Sequence, residues 1–166
     1  MAVSRPRRLA PSWAALCCAT LAIASVSCII PSSGQANPSE VAVTTVGNLA
    51  MGGFDPLTFT NEEGPSLGSD QHRYYWKGAN WQFVNRENRD IFRAEPERYA
   101  PAYGGHGAWA VSVGEFLKGD PRLYLMIDGQ LYLFFSEGTL SKWLDDPEGL
   151  KRRADREWAA MLPDMN

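Results

Sequence analysis

From residue 37 to its C-terminus the chain has no cysteine; Cys17, Cys18 and Cys28 all fall in the first 36 residues. That excludes a disulfide, a thiolate metal ligand and a thiol nucleophile from the remainder. Histidine is almost as scarce, with only His72 and His106. No His-x-x-x-His pair exists to seat a metal on one helix face. Positive charge is in short supply too. After residue 36, 19 acidic side chains face 13 Lys and Arg, a formal charge of −6. Nucleic acid and an anionic membrane surface are therefore poor partners. There is no phosphate-cradling glycine loop and no nucleophile-elbow phrase. No repeat or low-complexity tract stands out in the string of residues.

The N-terminal 36 residues have the layout of a targeting segment. Arg5, Arg7 and Arg8 precede an apolar run from Trp13 to Ile30, and a Pro-Ser-Ser-Gly-Gln-Ala stretch closes it. Gly34 and Ala36 are small residues spaced as an export peptidase requires. The expectation is a cleaved signal over 1–36 and a periplasmic or secreted product. An uncleaved membrane anchor is one alternative. A lipoprotein through Cys28 is another, although Ser25-Val26-Ser27 is a poor lipobox. Residues 37–50 read as a linker or lead-in, with "VAVTTVG" as a short strand or plain linker. Residues 51–162 read as one domain, rich enough in aromatics to bury a core without staples.

Within that domain, Asp55-Pro56 suits a helical turn, with Asp55 capping. "HRYYWKGANWQFVN" reads as a hairpin with Tyr74 and Trp76 on one arm, Trp81 and Phe83 on the other, and Lys77-Gly78-Ala79-Asn80 as the turn. Asn85 caps a helix whose Ile91 and Phe92 face the core, and Pro96 breaks it. Gly104 and Gly105 allow a sharp turn before a short buried helix from Ala108. Asp128-Gly129 makes a two-residue hairpin turn between arms so apolar that both faces should be buried. Ser136 caps a helix carrying Leu140, Trp143 and Leu144; Asp146-Pro147 starts a last one with Leu150, Ala154, Trp158 and Met161 on one stripe. The fold class expected is α+β: a small antiparallel sheet from two β-hairpins, covered by short helices.

Four phrases together resemble the YHS-domain family in its exported bacterial branch: "GGFDPLTF", "YYWKGANWQFVNRENRDIFRAEPERYAPAYGG", "AWAVSVG" and "DGQLYLFF". The resemblance spans Gly52 to Trp158. It implies a compact α+β module of treble-clef-like type with C-terminal helices, and no single activity. In metal-binding relatives three cysteines would fall at Thr58, Val84 and Asn88. In the exported branch a lone cysteine would fall at Gly107, after a tyrosine at His106. This chain has none of those thiols.

The candidate ligand-binding residues are therefore His106, Tyr103, Trp109 and Asp55. His106 and Tyr103 flank the Gly-Gly turn, and Gly107 clears room beside them. A weaker metal site would use His106, Asp55 and His72 with Cu or Zn, which accept N and O donors. Otherwise no cofactor is expected. For each residue a plain structural role stands beside the functional one: His106 as a hydrogen-bonded turn histidine, Asp55 as a cap, His72 as surface. The function read from the sequence is a non-catalytic module for a small ligand or a periplasmic protein. A metal-binding protein built on His106 is the alternative, and an enzyme of unknown class the third. Membrane association follows only if the N-terminal segment is retained or lipidated.

Overall fold

The structure, a computed structural model, describes residues 39–165; the expected targeting segment and Cys28 lie outside the described residues. The order of elements is β1 (Ser69–Trp76), β2 (Ala79–Phe83), α1 (Arg86–Ala94), α2 (Pro96–Tyr99), α3 (Ala108–Ser112), β3 (Asp120–Ile127), β4 (Gln130–Phe134), α4 (Glu137–Asp145) and α5 (Pro147–Met161). Short 3₁₀ turns occupy Met51–Gly53, Pro56–Thr60, Ala102–Gly105 and Leu162–Met165. The protein is α+β, and its hairpins form two separate two-stranded antiparallel sheets, β1-β2 and β3-β4. Among the described residues no helix is long and apolar enough to cross a membrane.

The two hairpins are built alike. A unit near 50 residues long is built twice, contrary to the reading of an unrepeated sequence. Each copy begins with a turn of three positive-φ residues: Met51, Gly52 and Gly53 at 51°, 62° and 89°, then Tyr103, Gly104 and Gly105 at 54°, 59° and 85°. In each copy the last of these glycines accepts a backbone bond from the glycine before the hairpin, Gly68 to Gly53 at 2.9 Å and Gly119 to Gly105 at 3.0 Å. Each hairpin slips register in its first strand, between Ser69 and Arg73 and again between Asp120 and Tyr124. Each then turns on two positive-φ residues, Lys77-Gly78 or Asp128-Gly129. Each is followed by a capped helix of nine residues that ends at Glu95-Pro96 or Asp146-Pro147.

The caps form as their side chains dictate. The Asn85 carboxamide accepts from Asn88 N, while Ser136 and Thr139 make a reciprocal capping box. One side chain per helix carries the packing. Phe92 and Trp143 are fully buried at equivalent places, and the residues one turn earlier, Asn88 and Thr139, share their faces. Ile91 and Leu144 stand about 100° around from those stripes and are 37% and 57% exposed, so neither faces the core as expected.

β4 explains the continuous apolar run of the second hairpin. Its Leu131 and Leu133 enter the cluster built on Trp81, Phe83 and Phe92, and Tyr132 and Phe134 enter the cluster built on Trp143, Leu150 and Ala154. Alternate residues of a strand point to opposite faces, so β4 is buried on both. β3 is not: Met126 is exposed at 38%. The first hairpin turn is tighter than expected, because Trp76 pairs with Ala79 and leaves only Lys77-Gly78 between the strands.

Residues 39–50 pack into the fold. Val41, Ala42 and Ala50 are buried, and a bridge joins Val43 to Ala50. The segment crosses the second Gly-Gly turn, where Ala42 N donates to Gly104 O at 2.9 Å. That approach requires a glycine: a Cβ on Gly104 would overlap the Glu40 carbonyl oxygen.

Candidate functional site

Asp55 is fully buried and its carboxylate accepts from three N–H donors. Oδ1 accepts from Leu57 N at 2.9 Å; Oδ2 accepts from Val84 N at 2.9 Å and from Asn88 Nδ2 at 2.7 Å. Thr58 is held to the same residue, its hydroxyl donating to Asp55 O at 2.7 Å. The three positions that the family resemblance marks for thiolates, Thr58, Val84 and Asn88, therefore converge on one residue. The sequence pointed to Asp55 as a cap, which it is, but not to its ties across 29 and 33 residues to Val84 and Asn88. In the second copy of the unit Gly107 takes the place of Asp55. A Cβ there would come within 3.1 Å of Phe135 N, the counterpart of Val84 N, so the chain has closed over the missing carboxylate.

His106 is 5% exposed, and its ring packs edge-on to Phe116 at 5.3 Å and beside Trp158 at 6.0 Å. Its Nε2 lies 2.9 Å from Ser39 O. A carbonyl only accepts, so Nε2 carries the proton and Nδ1 is left as a bare lone pair. That Nδ1 is buried without a partner. Burial holds the imidazole pKa below its ordinary value, against a weaker upward pull from the Ser39 carbonyl. His106 thus anchors the start of the crossing segment.

Tyr103 stands in the turn beneath that segment. Its hydroxyl donates to Asp155 Oδ1 at 2.9 Å, and Asp155 also pairs with Lys151 at 2.9 Å. Burial first, then the carboxylate, push the Tyr103 phenol far up. Tyr103 also stacks edge-on to Trp158 at 5.9 Å, which brings Tyr103, His106 and Trp158 into one cluster. Among the described residues, Trp109 and Asp55 share no hydrogen-bond or ring partner with it. Trp109 is half-buried against the second core with Lys142 Nζ 4.3 Å from its ring, and His72 is half-buried on β1.

Beside the cluster lies a cavity of about 130 Å³, lined by Glu40, Trp76, Lys77, Glu97, Tyr103 and Trp158 among others. Lys77 Nζ reaches Glu40 Oε1 at 2.6 Å and sits 4.8 Å from the Trp76 ring centre. Glu97, exposed on α2, makes no ion pair among the described residues. Apart from Tyr103, none of these residues is a candidate in the sequence, where Trp76 and Trp158 read as hairpin and core. Five separate segments bring them together, which no local pattern reports.

A larger cleft of about 410 Å³ opens between Phe54, Lys118, Asp120, Arg122 and Phe135. Its Asp120 and Arg122 already satisfy each other at 2.8 Å. Among the described residues no three His, Cys, Asp or Glu side chains gather as a metal would need. No family model, curated protein or solved structure matches the chain.

Proposed function

We propose that the chain is an exported, non-catalytic binding module of YHS type whose ligand lies in the cavity under the crossing segment 39–43. The observation that carries this reading is the cavity itself: aromatic walls, a carboxylate without an ion pair among the described residues, and a closing segment pinned by His106 and Gly104. Small-ligand sites likewise combine aromatic walls with a few placed polar groups. The Asp55 hydrogen bonds support the companion idea that thiolate metal binding has been replaced by a structural carboxylate. Acid–base catalysis would want titratable groups facing one another at controlled distance. His106 instead faces a carbonyl and two aromatic rings, which favours binding over catalysis.

A thermal-shift panel of small cations, anions and neutral molecules tests the reading, with Trp158→Phe as the pocket variant. Stabilisation of the wild type that weakens in Trp158→Phe is expected. A panel that leaves the wild type unmoved throughout would overturn it.

The bare Nδ1 of His106 favours a second reading, a Cu or Zn site with N and O ligands. It requires carboxylates from elsewhere, and that of Asp55 is already held by three N–H donors. Calorimetric titration of chelator-treated protein decides between the two. The binding-module reading expects no tight one-to-one isotherm. A tight isotherm lost in His106→Ala and kept in His72→Ala would promote the metal site.

A further inference from the structure

Resting on the binding-module reading, we infer that the cavity takes a compact organic cation, an alkylated ammonium group. Four aromatic side chains line it: Trp76, Trp81, Tyr103 and Trp158. Aromatic faces carry negative potential and attract cations that are weakly hydrated and can leave water cheaply. The chain's own ammonium already makes such a contact. Lys77 Nζ lies 4.8 Å from the Trp76 ring centre and 2.6 Å from Glu40.

Charge points the same way. Two carboxylates, Glu40 and Glu97, and one ammonium, Lys77, line the site, so a net negative charge remains with Lys77 in place. Its unbalanced member is Glu97, which has no ion pair among the described residues. An anionic ligand would meet that charge and the ring faces together.

Size narrows the class. At about 130 Å³ the cavity is several times what one water needs, room for a trimethylammonium-sized head. A hard metal cation would want six or more oxygens around it, which two carboxylates and indoles do not supply. Lys77 is the displaceable occupant. It stems from the hairpin turn, and its side chain is 36% exposed, so it can swing into water as a ligand enters.

Choline and its neutral isostere 3,3-dimethylbutanol, titrated calorimetrically into wild type, Glu97→Gln and Lys77→Met, make the test. Both substitutions are at exposed positions and spare the core. Choline is expected to bind about tenfold tighter than the isostere. Glu97→Gln should weaken choline by about threefold or more, and Lys77→Met should tighten it by removing the internal competitor. Choline binding seen only in Lys77→Met would also support the inference, with Lys77 acting as a plug. Equal binding of choline and the isostere would overturn the cation inference while leaving the binding-module reading standing. Weaker choline binding in Lys77→Met would overturn the role given to Lys77. No binding of either compound to any of the three proteins would overturn the cation inference, and the thermal-shift panel would then decide the broader reading separately.

Discussion

Replacing Asp55 by asparagine should destabilise the protein more than its single-atom change suggests. The carboxylate accepts three N–H bonds, from Leu57, Val84 and Asn88, at 2.7 to 2.9 Å in a fully buried setting. Asparagine keeps one acceptor oxygen. If that oxygen stays on Leu57 N, the new amide nitrogen faces the Val84 N–H and the Asn88 amide. Turning the Asn88 amide over offers its oxygen and rescues one contact. The Val84 N–H cannot turn and is orphaned. A buried unsatisfied donor costs about 1–3 kcal/mol, and loss of charge assistance on the remaining bonds adds to it, so about 3 kcal/mol in all is reasonable. For a domain of this size that lowers Tm by roughly 10 °C. Urea denaturation of wild type and Asp55→Asn, with exposed Glu62→Gln as control, measures it. The midpoint should fall while the slope stays constant. A change under about 0.5 kcal/mol would refute the reasoning, because the three donors would then have found other partners.

Gly104→Ala should dislodge the crossing segment, since its Cβ would meet the Glu40 carbonyl and the residue sits at φ 59°; amide exchange at Ala42 should speed up by an order of magnitude or more. Unchanged protection there would mean the segment is held elsewhere. Gly129→Val tests backbone strain alone, because a side chain there meets open space at φ 79°. It should cost about 1–3 kcal/mol, and an unmoved denaturation midpoint would contradict it. The His106 pKa is depressed by burial, so the unfolded chain binds the proton more readily than the folded one. Stability should be full above the unfolded value of about 6.5 and decline as pH falls below it, levelling off once pH drops beneath the folded value. Melting curves from pH 7.5 to 5 should show that slope reduced in His106→Gln; an identical slope would remove His106 as its source.

Much of the architecture is legible in the residues because it is set locally. Asn85 and Ser136 cap, Pro96 and Pro147 restart helices, and Asp128-Gly129 turns a hairpin, each by chemistry confined to a few neighbours. The repeat is hard to see in the residues because those the two units share are few and scattered. They are the Gly-Gly turn, the glycines at 68 and 119 and at 78 and 129, the phenylalanines at 83 and 134, the prolines at 96 and 147, and the glutamates at 97 and 148. Loops of unequal length before the hairpins blur the register further. Ile91 and Leu144 are not told from core residues by sequence, because both lie next to a true core residue and are just as apolar. Of the candidate site, Tyr103 and His106 were legible from the Gly-Gly turn. Glu40, Lys77 and Glu97 were not, since a surface charge in sequence looks the same whether it borders a cavity or open water.

The central claim is that a cation enters the cavity between Trp76 and Trp158. The most direct test is the indole N–H resonances of the protein followed by nuclear magnetic resonance as choline is added. Trp76 and Trp158 should shift along a common saturation curve, while Trp109 and Trp143, which line the second core, stay in place. Shifts confined to Trp109 and Trp143, or no shift at Trp76 and Trp158 up to saturating choline, would contradict it.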